Sequence, residues 1–278
     1  MKIVFGLFYL PACVLFPALC LAQNIDTTLG KVTYQERFAF SGDPSQTDLQ
    51  YLTKTMTLYF GKTTAIYLSE VKTNTMPRMV IYQGKDSTKV DKNAVMQKVE
   101  NQLSAISIPS SGTQVYKSYN SPLLSIHQTS FGEEYLITDT LNAIAWDIKA
   151  ETKNIASFEC RKAIGSFRGR TYTAWFTTDI PVSTGPWKLH GLPGLILEAE
   201  DAKKEVIFTV TNISIPPPEK MPINGNFSGR KVSRAQFRKE STQRLQNRQN
   251  MASSSSSQDV RYNVSTRKVV SLELDPVQ

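Results

Sequence analysis

The sequence predicts a mainly β protein of the α+β kind: a curved, mostly antiparallel sheet, either half-barrel or sandwich, with one packed amphipathic helix and a polar basic helix near the C-terminus. Three observations predict it. Short runs of alternating apolar residues recur along most of the chain. Polar turns rich in Gly, Pro, Asn and Asp separate them. Only one stretch before residue 230, Asp91 to Ile106, carries a clear helical period. Frequent strands, short turns and few helices favour antiparallel pairing over a βαβ order.

The first 22 of the 278 residues have the pattern of a secretory signal peptide. Lys2 supplies the positive start, Ile3 to Leu21 the apolar stretch, and Cys20-Leu21-Ala22 the small-residue cleavage site. Pro11 and Pro17 interrupt the apolar stretch and weigh against a membrane anchor. Lipidation at Cys13 or Cys20 is a minority reading, because Leu10-Pro11-Ala12-Cys13 and Ala18-Leu19-Cys20 only approach the motif. Cleavage leaves Cys160 as the one cysteine, so no internal disulfide forms and the core must carry the fold. Residues 23–216 read as a single β-rich domain. Residues 217–278 read as a proline- and serine-rich linker, a basic helix and a weak edge strand.

Within the domain, Lys31 to Phe40 places Val32, Tyr34, Glu36, Phe38 and Phe40 on one strand face. Leu52 to Phe60 and Thr63 to Val71 form a hairpin about Gly61-Lys62. A short strand follows at Arg78 to Tyr82. The helix at Asp91 to Ile106 buries Val95, Val99 and Leu103, with Asp91 as cap. Strands then recur at Gln114 to Tyr119, Leu123 to Gln128, Glu134 to Thr138, Ile144 to Lys149 and Ile155 to Phe158. Arg161 to Phe167 and Thr171 to Thr177 make a hairpin about Arg168-Gly169-Arg170. In Gly191 to Ile196, Pro193 and Gly194 suit a type II turn with positive φ at Gly194. Leu195 to Glu200 and Val206 to Ile213 complete the strands. Pro216-Pro217-Pro218 ends the compact part. Ser233 is a helix cap with Gln236 closing a capping box, and Val232 and Phe237 form the staple. Ser253 to Ser257 is low-complexity, and Tyr262 to Leu274 alternates weakly.

The formal charge is +8, and it is uneven. Arg230 to Arg248 holds seven basic residues and one acid, Glu240. A local basic segment argues against nucleic acid as the partner of the whole surface and points to peripheral membrane contact through 230–248, or to a solvated face. Nucleophilic chemistry rests on one arithmetic option, Cys160 with His190 or His127. A lone cysteine at a strand end is more often a small buried hydrophobe. Two histidines 63 positions apart make no zinc signature, and neither a Gly-rich phosphate loop nor an Asp-rich calcium loop is present, so no metal and no cofactor is expected. Tyr172 and Phe176 share a strand face and Trp175 takes the other. Together with Arg168 and Arg170 at the hairpin tip, they are the candidate contacts for a ligand or partner, the sharper reading being an apolar cleft between the sheet and the helix.

Phe158-Glu159-Cys160-Arg161-Lys162-Ala163, Phe167 to Arg170, Ala174 to Thr177, Asp179-Ile180-Pro181, Gly185-Pro186 and Gly191 to Asp201 resemble the GLPGLI family. The resemblance runs from Trp146 to Asp201. It implies an exported protein of Gram-negative bacteria and supplies no catalytic residue. It also implies that Cys160, Lys162, Arg170, Trp175, Pro186, Gly191, Pro193 and Gly194 belong to a shared scaffold. The resulting expectation is a periplasmic or outer-membrane-associated protein that binds an apolar ligand, a lipid or another envelope protein without catalysis. The alternatives are a thiol-dependent hydrolase using Cys160 and His190, and a structural subunit of an envelope assembly.

Overall fold

The computed structural model describes residues 26–40, 50–69, 113–225, 227–254 and 272–273. The signal-peptide pattern, the strand expected at Arg78 to Tyr82, the helix expected at Asp91 to Ile106 and most of the last 24 residues lie outside them.

The elements run β1 (Asp26–Thr27), β2 (Gly30–Phe40), β3 (Gln50–Phe60), β4 (Thr64–Leu68), β5 (Gln114–Ser118), β6 (Leu123–Ser130) and β7 (Glu133–Thr140). They continue with β8 (Trp146–Ile155), β9 (Phe158–Phe167), β10 (Arg170–Thr177), β11 (Leu195–Asp201), β12 (Val206–Ser214), β13 (Pro222–Ile223), β14 (Arg230–Ser233) and α1 (Arg234–Ser254). Twelve strands form one sheet in the order β14-β7-β6-β5-β4-β3-β2-β12-β11-β10-β9-β8. Every neighbouring pair is antiparallel except β14 with β7. β1 and β13 pair separately. The sheet is open and does not close into a barrel.

Local chemistry accounts for the hairpins. Phe131-Gly132, Ala156-Ser157 and Arg168-Gly169 are two-residue loops with both φ positive. That is the primed turn whose twist matches the strands it joins. The sequence placed a break after Lys149. The structure instead runs β8 through to Ile155 and turns at Ala156-Ser157.

The sheet is strongly curled. β7 and β8 are consecutive in the chain but lie near opposite ends of the strand order. Residues 141–145 connect them, and six Cα steps span at most about 21 Å. The flanks also meet directly: the Arg168 guanidinium, at the β9–β10 tip, donates to Asp139 Oδ1 of β7 at 2.8 Å and to the Thr140 carbonyl at 2.7 Å.

The inner face is packed. Val32, Tyr34 and Phe38 of β2, Tyr172, Ala174 and Phe176 of β10, and Leu195, Leu197 and Ala199 of β11 are all buried in one cluster. Residues 178–194 join it through Ile180, Trp187, Leu189 and Leu192. The backbone of this segment is tied to β11 by Leu195 N–H to Ile180 O and Ile196 N–H to Thr184 O, both at 3.0 Å. The Tyr34 hydroxyl donates to the Ile196 carbonyl at 2.7 Å from across the sheet.

Gly191–Ile196 is a corner, for a different reason from the one expected. Positive φ falls on Gly191, at 92°, and not on Gly194. Gly194 is required by a close approach: a Cβ there would sit 2.0 Å from the Thr177 carbonyl oxygen.

The chain beyond Pro216-Pro217-Pro218 rejoins the structure, with β13 on β1 and β14 on β7. Ser233 caps α1 by accepting from Gln236 N–H at 3.1 Å. The Gln236 side chain turns to Glu240 instead of back to the cap, so only half of the capping box forms. α1 has no apolar face and docks largely through charge. Arg230 and Arg244 both bind Glu133 of β7, Arg230 also binds Glu240, and Arg234 binds Glu273. Phe237 stacks edge-on against Tyr135, with ring centroids 4.9 Å apart. Much of the basic charge of 230–248 is therefore spent within the fold.

Candidate functional site

The structure distributes the sequence-derived residues instead of gathering them. Tyr172 and Phe176 belong to the core, at 0% and 1% exposure, so they line no open cleft. Trp175 lies on the other face, as the strand period requires, beneath the Lys153 ammonium at 4.5 Å. Lys153 in turn pairs with Glu198. Arg168 is committed to Asp139. Arg170 is 1% exposed at its side chain and binds Asp201 and Glu205, each at 2.7 Å. This clamp closes the β11–β12 turn, with Asp201 also accepting from Val206 N–H. Lys162 pairs with Glu151 near the surface. Pro186 is buried and Pro193 exposed.

Cys160 is fully buried and its thiol donates to the Phe158 carbonyl at 3.6 Å. Burial, helped by the Glu198 charge, pushes the thiol up to about 11. His190 sits against Phe167, with ring centroids 6.3 Å apart. Phe167 is seven residues along β9 from Cys160, roughly 23 Å at strand rise. Cys160 and His190 thus occupy opposite ends of one strand and cannot form a nucleophile–base pair. The thiol-hydrolase reading loses its geometry.

A different set of residues does converge. Lys117 sits on the inward face of β5, 1% exposed. Its ammonium donates to the Gly185 carbonyl at 2.9 Å and reaches the Leu189 carbonyl at 3.5 Å. Among the described residues it bonds to carbonyls alone, and burial drops its pKa to about 7. Beside it a pocket of about 400 Å³ opens, lined by Lys117, Tyr119, Pro122, Leu141, Thr184 and His190 among others.

The fold sets each member. β5 and the β5–β6 turn supply Lys117, Tyr119 and Pro122. Leu141 begins the short connection to β8, its N–H bonded to Pro122 O. Thr184 and His190 face each other across an isolated antiparallel bridge. Trp146 at the start of β8 fixes that bridge by donating from Nε1 to the His190 carbonyl at 2.8 Å.

The electrostatics are uncommon for a strand interior. Burial lowers the His190 pKa, and the Lys117 charge lowers it further, against the Lys188 carbonyl bond. His190 Nδ1 lies 3.0 Å from that carbonyl, which can only accept, so Nδ1 carries the proton and Nε2 is left as an acceptor. The Tyr119 and Thr184 hydroxyls are near enough for Thr184 to favour the phenolate, yet neither meets a partner at hydrogen-bonding geometry. Burial holds the Tyr119 hydroxyl far above its ordinary range.

Next to the pocket, Asp139 collects Arg168 and Lys188, and Lys188 also binds Glu273, which in turn holds Arg234. Burial raises the Asp139 carboxyl, but the Lys188 and Arg168 charges outweigh it and hold it below the usual carboxylate range. This cluster pairs each of its charges and links the two sheet flanks, although the buried Arg168 Nε meets no acceptor.

Sequence reasoning missed Lys117, Tyr119 and Thr184. One signal was present: Val115, Lys117 and Tyr119 alternate on one strand face, which puts a lysine among apolar neighbours. Thr184 and His190 lie in an aperiodic loop and carry no such mark. Among the described residues, no group of three or more His, Cys, Asp or Glu comes together to hold a metal ion.

One family model matches, over residues 167–198. It is described as "Protein of unknown function (Porph_ging)". The match covers the end of β9, β10, the 178–194 segment and half of β11, which includes Thr184 and His190 but not Lys117. No curated protein matches the chain. Two solved structures of PNGF-II, in space groups P21 and C2, are similar at 16% and 14% identity, with TM-scores of 0.47 and 0.48. They cover 79% of this chain and 34% and 33% of their own, so the chain spans about a third of their length. A likeness of that degree carries no statement about activity.

Proposed function

We propose that the protein is an exported, non-catalytic binding module of the cell envelope, and that its ligand site is the pocket between the β5–β6 turn and the Thr184–His190 bridge. The observation that carries this is the pair of buried, unpartnered hydroxyls of Tyr119 and Thr184 in the wall of an open pocket. Buried polar groups are almost always hydrogen-bonded, and leaving one without a partner costs about 1–3 kcal/mol. The Tyr67 and Tyr172 hydroxyls are also unpartnered but lie in the closed core, whereas Tyr119 and Thr184 adjoin a pocket that a guest can enter. Export and an envelope address rest on the signal-peptide pattern of residues 1–22 and on the resemblance of residues 146–201 to the GLPGLI family. The match to a family of unknown function over 167–198 is compatible with both.

The ligand reading departs from an apolar guest on the concave face, because Tyr172 and Phe176 are core residues. The test is native mass spectrometry of the protein purified from its own source, beside a Thr184→Leu variant that fills the pocket. A co-purifying small molecule that Thr184→Leu removes supports the reading. A bare wild-type protein, or an adduct indifferent to Thr184→Leu, refutes it. A stoichiometric protein partner instead would support the structural-subunit alternative.

A further inference from the structure

Resting on that reading, we propose that the pocket takes a small monocarboxylate with an apolar body, its carboxylate held by Lys117, Tyr119 and Thr184.

The argument starts with charge. Lys117 lies on the inner face of the sheet, 1% exposed, and among the described residues it bonds only to the Gly185 and Leu189 carbonyls, so its ammonium form lacks compensation until an anion arrives. A buried charge without a counter-charge is costly. Elsewhere the fold answers this problem with carboxylates: Arg170 has Asp201 and Glu205, and Lys188 has Asp139 and Glu273. Lys117 has no carboxylate partner among the described residues and adjoins an open pocket. An ammonium offers three donors, and the two carbonyls engage at most two. The nearby unpartnered groups, Tyr119 Oη and Thr184 Oγ1, are both able to donate. One cation with two neutral donors matches one negative charge shared over two oxygens. A dianion such as phosphate would leave a charge uncompensated in the same place, so a carboxylate fits better.

The rest of the wall describes the rest of the ligand. Pro122, Leu141 and Ala143 give the pocket an apolar side. A volume of about 400 Å³ suits a body the size of a short branched chain or a single ring. His190 closes one side with its Nε2 as an acceptor, which suits a hydroxyl on that body.

The experiment compares benzoate with benzamide, its neutral near-isostere, by ligand-observed NMR and isothermal titration calorimetry on the full chain. Benzoate is expected to bind about tenfold or more tightly than benzamide, the range set by a charge-assisted contact. Lys117→Met removes the preference. Thr184→Val and Tyr119→Phe each weaken benzoate several-fold while leaving the fold intact, because each removes a hydroxyl that has no partner in the unliganded protein. Those two variants keep the test decisive if Lys117→Met fails to fold. Equal binding of benzoate and benzamide overturns the carboxylate assignment and leaves the pocket reading standing. Benzoate binding that survives Thr184→Val and Tyr119→Phe unchanged places the anion elsewhere and also overturns it. Failure of both probes overturns the monocarboxylate class, while the Thr184→Leu comparison above judges the pocket itself.

Discussion

Gly194→Ala adds one methyl group where two backbones touch. The new Cβ would stand 2.0 Å from the Thr177 carbonyl oxygen, 2.7 Å from its carbon and 3.1 Å from Thr178 Cα. Real Cβ contacts do not fall below 3.0 Å, so the nearest gap must widen from 2.0 Å to at least that value. The obstacle is backbone, and no rotamer relieves it. Thr177 and Leu195, which pair at the end of the β10–β11 ladder, are both fully buried. Forcing atoms into a packed interior costs about 1–3 kcal/mol, and weakening the Leu195 N–H to Ile180 O bond adds about 1 kcal/mol, for a total of about 2–4 kcal/mol. Gly191→Ala is the control. Its φ is 92°, but the nearest atom to the new Cβ is Trp146 Nε1 at 3.6 Å, so only the backbone conformation is penalised, by about 1–2 kcal/mol. The assay is urea unfolding followed by tryptophan fluorescence, with midpoint and slope both fitted. A Gly194→Ala variant within 1 kcal/mol of wild type, or one more stable than Gly191→Ala, would refute the close-approach argument.

Three further outcomes are expected. Arg170→Met strands Asp201 in the interior and should cost about 3–5 kcal/mol, whereas Arg161→Met on the exposed face should stay within about 0.5 kcal/mol; similar losses would show that the Arg170 clamp does not hold the turn. With Cys13 and Cys20 replaced by serine, Cys160 should react with a thiol reagent at pH 8 only as fast as the protein opens, because the thiol is both enclosed and held near 11; labelling at the rate of a free thiol would contradict the burial. Asp26 accepts from Lys62, Thr63 and Thr64 amides and from two hydroxyls. Burial works against ionisation there, but the Thr63 and Lys62 amides outweigh it, so the folded pKa lies below 3.8. A lowered acid pKa gives stability that is present above 3.8 and is lost as pH falls through the folded value. Thermal melts from pH 2 to 5 should therefore show a shallower acid limb for Asp26→Asn than for wild type, and parallel limbs would remove Asp26 from the account.

Strands with one dry and one wet face were legible, because alternation encodes burial directly. Val32, Tyr34, Glu36 and Phe38 placed β2 within one residue at its start, and Arg168-Gly169 placed the β9–β10 turn. β8 was cut short for a physical reason. It lies at the end of the strand order and is exposed through much of its middle, so Lys149 to Asn154 show no alternation. The turn that follows, Ala156-Ser157, adopts positive φ without a glycine, and nothing in the residue types announces that. Gly194 was recognised as constrained but for the wrong cause, since close approach of Thr177 is a tertiary fact invisible along the chain. α1 looked like a free basic surface because its partners lie far off in sequence: Glu133, held by Arg244, is 111 residues upstream, and Glu273, held by Arg234, lies beyond the helix. The pocket was half legible: Lys117 breaks an apolar face, whereas Thr184 becomes notable only when the bridge to His190 sets it beside Tyr119.

The pairing of β2 with β12 has a consequence in time. β3 follows β2 closely and can zip to one side of it as soon as both exist. The other side waits for Val206 to Ser214, which pair with Phe38 to Lys31. About 170 residues separate the two strands, so at 5–20 residues per second the second edge stays bare for roughly 10–35 s of synthesis. During that interval an eleven-residue strand bearing Val32, Tyr34 and Phe38 offers a sticky template to any other chain. That edge is covered only when Val206 to Ser214 arrive to pair with it.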